Sequence, residues 1–235
     1  DPSMYEFNFK PESFVYLLLI AHILLPFQTS FEEYLVRGYL LQGIGITTKS
    51  RLLALLIPTF LFALLHLANP EVDKMGYGFL GAYFIMGLVW GVCTLMDDGL
   101  ELALGMHYGN NFVGILFVTA DWTVLQTDSV LKYVGEPNMS MMFVTSIPLQ
   151  ILILIYFSKK YNWVNWRVKL FGSVQLFFMN KNSIFGWASF ILTLLGIALI
   201  LLGVLKYPDY AIGFSVVGVG FIAIGWAFNA LKGRI

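Results

Sequence analysis

Long apolar runs constrain this chain more than any other feature, because a helix needs roughly 17–25 apolar residues to cross the ~30 Å core of a bilayer. Seven runs approach that length and one is shorter, at residues 13–29, 52–68, 78–96, 99–119, 141–158, 184–205, 211–231 and 30–44. None alternates as barrel strands do. Only 12% of residues are charged, and the mean hydropathy is +0.77. The sequence therefore predicts an all-α polytopic transmembrane helix bundle with about seven to eight membrane helices.

Charge and cysteine content exclude some partners and sites. The 14 basic and 14 acidic residues cancel, so no net field attracts nucleic acid. The single cysteine, Cys93, lies inside an apolar run. This excludes an internal disulfide framework and a cysteine-based metal cluster.

Changes of composition along the chain predict four segments. These are an extramembrane segment over 1–12, a membrane core over 13–121, a loop with one span and a basic aromatic loop over 122–183, and a transmembrane hairpin over 184–235. The chain begins with Asp1-Pro2 and no initiator methionine, so we expect residues to precede it.

Local signals predict two breaks in the first part of the core. Pro26 should interrupt the first run, with a polar hinge at Gln28 to Ser30. Ser30 would then cap the next helix, with Glu33 completing a capping box. The turn at residues 43–45, Gly-Ile-Gly, should end that helix.

The C-terminal hairpin has small residues at a regular spacing. Gly213, Gly220 and Ala227 recur every seven residues. This spacing would let another helix approach closely. We therefore interpret the hairpin as structural.

Several ionisable or amide side chains lie inside or beside the spans, where a charge costs at least several kcal/mol. They are His22, Glu32, Glu33, Arg37, His66, His107 and Asn111. His22 belongs to no motif, and we expect it to serve packing.

Each of the other groups has a structural explanation when taken alone. Glu33 and Arg37 are four residues apart on one helical face and would form an ion pair. His66 would be a hydrogen-bonded core histidine, and His107 with Asn111 would join helices. Together, however, a carboxylate with an imidazole deprotonates water, and an imidazole with an amide stabilises an oxyanion, so the set suffices for amide hydrolysis.

The order of these residues resembles the CAAX-protease and bacteriocin-processing (CPBP/Abi) family of intramembrane proteases. The family motifs EExxxR, FxxxH and HxxxN occur in order, at Glu32-Glu33 to Arg37, Phe62 to His66 and His107 to Asn111. The resemblance implies that Glu32, helped by His66, activates the attacking water. It also implies that His107 and Asn111 stabilise the oxyanion, and that Glu33 and Arg37 position the site. No motif covers residues 122–235.

The resemblance favours a glutamate mechanism without a cofactor. Zinc is the alternative, because two histidines and a carboxylate can hold this ion. No HExxH helix is present, however.

These observations predict an endopeptidase of the bacterial inner membrane that acts on a peptide or a membrane protein. A non-catalytic scaffold or bacteriocin-immunity protein, and a small transporter with proton-carrying carboxylates, stay open. Basic residues in loops 43–51 and 159–183 place these loops in the cytoplasm. That orientation puts the Glu32 and His66 ends outside, whereas the resemblance implies a cavity open to the cytosol.

Overall fold

Helices form most of the chain, as the apolar runs predict. The computed structural model describes residues 1–174 and 181–230. It divides the chain into two units, Asp1–Val174 and Gln175–Ile235. The all-α transmembrane bundle is thereby confirmed, whereas the four segments proposed from composition stay a prediction.

The first unit contains nine α-helices within its described residues. They are α1 (Pro11–Ile23), α2 (Leu25–Glu33), α3 (Leu41–Thr48), α4 (Arg51–Leu65), α5 (Pro70–Met75), α6 (Leu80–Asp97), α7 (Glu101–Phe117), α8 (Met139–Lys160) and α9 (Trp166–Phe171). A π-helical turn, Tyr34–Leu40, connects α2 to α3. The second unit contains α10 (Lys181–Lys206) and α11 (Ala211–Ala230).

Five helical stretches of the described residues are long and apolar enough to cross a membrane. They are Pro11–Thr48, Tyr77–Asp97, Met139–Lys160, Phe185–Lys206 and Ala211–Asn229. Helix α4 has 15 residues and α7 has 17, which correspond to about 22 and 25 Å. The number of seven to eight crossings therefore stays a prediction.

The predicted interruption near Pro26 is present, because α1 ends at Ile23 and α2 begins at Leu25, but the predicted polar hinge at Gln28 to Ser30 is wrong, because these residues lie inside α2. Leu24 keeps right-handed helical angles, and the amides of Phe27 and Gln28 both donate to its carbonyl. Pro26 lies in the first turn of α2, where a missing N–H is tolerated. Ser30 lies inside α2 and caps no helix.

The predicted helix end at residues 43–45 is also wrong. Helix α3 continues to Thr48 and ends at Lys49, whose φ of 56° is left-handed. Gly45 lies inside this helix, where the absence of a side chain lets the helix pack closely against its neighbours. A Cβ at Gly45 would lie 3.4 Å from the Ala54 side chain of α4 and 3.4 Å from that of Val174.

The N-terminal segment belongs to a small sheet with strand order β1-β3-β2. Strand β1 (Tyr5–Phe7) is antiparallel to β3 (Leu131–Tyr133), and β3 is parallel to β2 (Val118–Thr119), which directly follows α7. Lys10 and Asp128 form an exposed ion pair at 2.6 Å. The hydrogen bond from Lys10 lowers the pKa of Asp128.

Helix α6 lies at the centre of the first unit. About half of its span is buried, 56%, whereas no other candidate span in the described residues exceeds 17%. Its residues Trp90 and Cys93 belong to the main hydrophobic cluster, together with Leu55 and Phe62 of α4 and Ala103 of α7. The helices that carry the family motifs therefore pack around α6.

The two basic loops meet at one end of the first unit. The Arg51 amide donates to the Gly172 carbonyl at 3.1 Å, and the Val174 amide donates to the Lys49 carbonyl at 3.0 Å. Lys169 of α9 pairs with Asp98, at the end of α6. Residues 175–180 of the predicted basic loop lie outside the described residues.

The hairpin of the second unit packs through a different set of glycines from the predicted one. A Cβ at Gly196 would lie 2.4 Å from the Gly218 carbonyl oxygen, and a Cβ at Gly225 would lie 2.9 Å from that of Ser189. Gly213 and Gly220 have no such neighbour within 4 Å. The two helices approach closely, as small residues allow.

Candidate active site

The centre of the site is a buried ion pair between Glu33 and Arg37. Arg37 Nη1 donates to Glu33 Oε1 at 2.9 Å, and the two side chains are 1% exposed or less. Arg37 Nη2 donates to the Gly87 carbonyl of α6 at 3.0 Å. The guanidinium carbon lies 4.5 Å from the centroid of the Phe62 ring. These partners offset the burial of both charges, because an unpaired buried charge costs several kcal/mol.

His107 contacts this pair from α7. Its Nδ1 lies 2.8 Å from Glu33 Oε1. A carboxylate oxygen only accepts, so Nδ1 carries a proton. The imidazole stacks on Trp90 with centroids 4.4 Å apart and planes inclined by 25°. Glu33 and Trp90 therefore set the orientation of the ring, and Nε2 is left to react.

The second glutamate faces Nε2 of His107. Glu32 Oε2 lies 3.8 Å from this nitrogen, which is longer than a direct hydrogen bond. The Glu32 side chain is 29% exposed, whereas that of Glu33 is fully buried. Gln28, one turn earlier, donates to Glu32 Oε1. Glu33 is therefore the buried anchor, and Glu32 is the carboxylate that a reactant can reach.

His66 lies at the C-terminal end of α4, at the margin of this cluster. Its Nδ1 donates to the Phe62 carbonyl at 2.7 Å, so the Nε2 lone pair is an acceptor. Its ring stacks on Tyr83, with centroids 4.0 Å apart. The Phe62 ring contacts both His66 and His107, at 4.6 and 6.1 Å between centroids. Among the described residues, no hydrogen bond or ion pair joins His66 to Glu32.

Asn111 lies one turn beyond His107 on α7. Its Oδ1 accepts from Asn110 Nδ2 at 3.1 Å. Its own Nδ2 makes no hydrogen bond within the described part of the chain, so this amide is available as a donor. His22 is edge-on to Phe112 and lies outside the cluster.

The structure thus joins some of the predicted residues directly and places others nearby. Direct contacts connect Glu32, Glu33, Arg37 and His107. Gln28 also belongs to the site and was not predicted, although its position four residues before Glu32 indicates a side-chain contact. Three residues of α6, Tyr83, Gly87 and Trp90, were not predicted either, because they lie within an apolar run and belong to no polar motif.

The described residues do not form a metal site. No group of three or more His, Cys, Asp or Glu side chains among them is arranged to hold a metal ion. His107 Nδ1 is bonded to Glu33, and His66 Nδ1 is bonded to a backbone carbonyl. These bonds leave Nε2 of each ring without a direct hydrogen bond in the described residues, so zinc stays the alternative and independence from a cofactor stays a prediction.

Comparison with known proteins connects this geometry to a family. The family model described as type II CAAX prenyl endopeptidase Rce1-like matches residues 11–113. Residues 11–113 are therefore similar to the Rce1-like family. All six predicted site residues lie within the Rce1-like segment. The resemblance based on the three motifs is thereby confirmed.

A bacterial relative overlaps with part of the chain. The uncharacterized protein YyaK of Bacillus subtilis (strain 168) is 42% identical to it over 117 residues. The match covers 50% of this chain and 38% of YyaK, so the chain spans well under half of that relative. No solved structure matches the chain.

The region beyond the Rce1-like segment has a separate match. A family model described as CAL67264-like protein covers residues 180–235, which include the described helices α10 and α11. The Rce1-like segment and the long apolar helices together make this chain an integral membrane protein.

Proposed function

We propose that this protein is an intramembrane endopeptidase that hydrolyses a peptide bond in a peptide or membrane-protein substrate. The main support is that the two adjacent glutamates differ in their contacts and in their exposure to solvent. Glu33 anchors His107, while the partly exposed Glu32 faces His107 Nε2 at 3.8 Å. The Rce1-like match over residues 11–113 supports the same reaction class. A bacterial membrane is the proposed location, since YyaK comes from Bacillus subtilis.

Glu32 acts as the general base in this proposal. A water beside the 3.8 Å gap between Glu32 and His107 lies within hydrogen-bond reach of both the carboxylate and the imidazole. Glu32 takes a proton from water as the water oxygen bonds to the scissile carbonyl carbon. His66 Nε2 helps to orient this water, because its lone pair is an acceptor.

His107 and Asn111 stabilise the negative charge that develops on the carbonyl oxygen. His107 Nδ1 already directs its proton to Glu33, so donation from Nε2 requires the positively charged ring. This charge lies between two carboxylates, at 2.8 Å from Glu33 and 3.8 Å from Glu32. Asn111 Nδ2 supplies the second donor. A single donor of this kind contributes about 10²–10³-fold to kcat.

Breakdown of the tetrahedral intermediate completes the reaction. The carbonyl re-forms, the C–N bond breaks, and the leaving amine takes the proton held by Glu32. The products are one carboxylic acid and one amine, with water as the co-reactant. Glu32 ends in its starting form, ready for the next substrate.

A cleavage assay with the purified full chain in proteoliposomes tests the proposal, using a library of membrane-proximal peptides. Glu32→Gln keeps the size of the side chain and removes the base, so we expect kcat to fall about 10²–10⁴-fold. Glu12→Gln, at an exposed glutamate of α1, is the matched control and should cleave like the native chain. Equal cleavage by the native chain and Glu32→Gln would overturn the assignment and favour a non-catalytic scaffold.

The same assay tests metal dependence. We expect EDTA to leave kcat unchanged, because no group of three or more His, Cys, Asp or Glu side chains in the described part of the chain is arranged to hold a metal ion. Activity that is lost with the chelator and restored by zinc would contradict the metal-free mechanism.

A further inference from the structure

Helix α6 carries none of the three family motifs, yet one of its faces contacts all three motif-bearing segments. Tyr83, Gly87 and Trp90 have the spacing i, i+4 and i+7, which places them on the same side of a helix. All three are buried. We call these three residues the positioning face.

Trp90 contacts the HxxxN segment. Its ring stacks on His107 at 4.4 Å with an inclination of 25°. A hydrogen bond from Nδ1 alone would let the imidazole tilt about the line from Nδ1 to Glu33. The flat indole removes this tilt and keeps Nε2 directed toward Glu32, at 3.8 Å.

Gly87 contacts the EExxxR and FxxxH segments. Its carbonyl accepts from Arg37 Nη2 at 3.0 Å. A Cβ at this position would lie 3.1 Å from Arg37 Nη2 and 3.1 Å from Phe62 Cδ1. These distances are shorter than ordinary van der Waals contacts. Glycine therefore lets Arg37 reach the backbone of α6.

Tyr83 contacts the end of the FxxxH segment. Its ring stacks on His66 at 4.0 Å with an inclination of 24°. Its hydroxyl accepts from Asn69 Nδ2 at 3.1 Å, and the Asn69 amide donates to the His66 carbonyl at 3.0 Å. Tyr83 and Asn69 thus hold His66 from two sides.

We infer that Tyr83, Gly87 and Trp90 are positioning residues, which orient His66, Arg37 and His107 respectively. The inference rests on the proposed function, because it assigns α6 a role in the same reaction. Two imidazoles and one guanidinium from three segments are aligned by one rigid helix. Misplacement of a reacting group by about 1 Å can lower the rate about 10²-fold, so loss of a stacking ring should act mainly on kcat.

Steady-state kinetics of the full chain in proteoliposomes tests this role on a peptide that the native chain cleaves. We expect Trp90→Leu and Tyr83→Leu to lower kcat about 10–100-fold with KM within about twofold of the native value. Trp90→Phe and Tyr83→Phe, which keep a ring face, should recover most of this loss. Gly87→Ala should lower kcat in the same range, because Arg37 and Phe62 must move.

Phe157→Leu is the matched control. Phe157 is a half-buried aromatic residue of α8 that packs against the main hydrophobic cluster. Within the described residues its ring contacts are with Tyr156, Tyr161 and Trp163, and none is with a motif residue or the positioning face. Its replacement removes similar apolar packing, so kcat should stay within about twofold of the native value. Should Trp90→Leu not fold, Trp90→Met keeps the bulk without a ring and is measured in the same way.

The outcomes separate the inference from the function on which it rests. The inference is overturned if the leucine variants match Phe157→Leu, or if phenylalanine recovers nothing, while Glu32→Gln is inactive. Cleavage by Glu32→Gln at the native rate would instead remove the proposed function. A kcat loss confined to the leucine, methionine and alanine variants of the positioning face supports both.

Discussion

Single side chains show how this protein keeps charge inside an apolar bundle. Glu33 Oε1 accepts from both Arg37 and His107, at 2.9 and 2.8 Å. Arg37 Nη2 donates a second hydrogen bond, to the backbone carbonyl of Gly87 in α6. Arg37 and the Oε1 atom of Glu33 thus have two partners each, which offset the cost of burial, whereas Glu33 Oε2 has none among the described residues.

Replacing Arg37 tests the contribution of these contacts to stability. Arg37→Met leaves the Glu33 carboxylate buried without its cation, so we expect a loss of about 3–5 kcal/mol in the free energy of unfolding. Thermal unfolding in detergent measures this loss. The double variant Glu33→Gln with Arg37→Met should recover part of the stability, and Arg167→Met, at an exposed arginine, should change little. An Arg37→Met protein as stable as Arg167→Met would contradict the ion pair.

The spacing of the motifs predicted contacts within one helix better than contacts between helices. Glu33 and Arg37 are one turn apart in the sequence, and the structure places them in an ion pair. The partner of Glu32 was not predictable in this way. The resemblance implied His66, but the imidazole nitrogen that faces Glu32 is Nε2 of His107, at 3.8 Å. Such contacts depend on how helices are rotated against each other, which a single sequence does not encode locally.

At the scale of helices, apolar runs predicted where helices form better than where they end. Gln28 to Ser30 and Gly43 are typical of a loop in a soluble protein, where water solvates the exposed backbone. In an apolar bundle the helical hydrogen bonds continue past such residues, because backbone groups have few other partners. The positioning face could not be predicted from the sequence either. Tyr83 and Trp90 lie in an apolar run, and aromatic residues in such a run are typical of an ordinary hydrophobic core.

The hairpin of α10 and α11 offers a matched test of helix packing. Gly196→Ala brings a methyl group within 2.4 Å of the Gly218 carbonyl oxygen, so the helices must separate. We expect a cost of about 1–3 kcal/mol and faster hydrogen exchange in both helices of the full chain. Gly220→Ala is the control, because no neighbouring atom lies within 4 Å of its added carbon. Equal exchange in the two variants would contradict this packing.

On the scale of the whole first unit, charge is distributed unevenly between its two ends. Basic residues collect where α3, α8 and α9 end, at Lys49, Arg51, Lys159, Lys160, Arg167 and Lys169. Acidic residues collect around the sheet and α5, at Glu6, Glu71, Asp73, Asp121, Asp128 and Glu136. The excess of lysine and arginine predicts that the first end faces the cytoplasm. The C-terminal end of α4, which carries His66, would then face outward.

Cysteine labelling in intact bacterial cells tests this orientation. The native Cys93 is fully buried and should give little background. A membrane-impermeant maleimide should label Glu136→Cys in intact cells, because that side chain is 86% exposed at the acidic end. Arg167→Cys should react only after permeabilisation. The reverse pattern would place the basic end outside and contradict the charge rule for this chain.

The number of residues in the π-helical turn at Tyr34–Leu40 sets how α3 is rotated relative to α2. Its hydrogen bonds run from i to i+5, so each turn holds more residues than an α-helical turn. An added residue that this widened turn cannot take up would rotate Leu41–Thr48 by about 100° relative to Glu33. Gly45 would then turn away from Ala54, which it now approaches closely. Insertions in this stretch should therefore be tolerated less well than substitutions of its exposed residues.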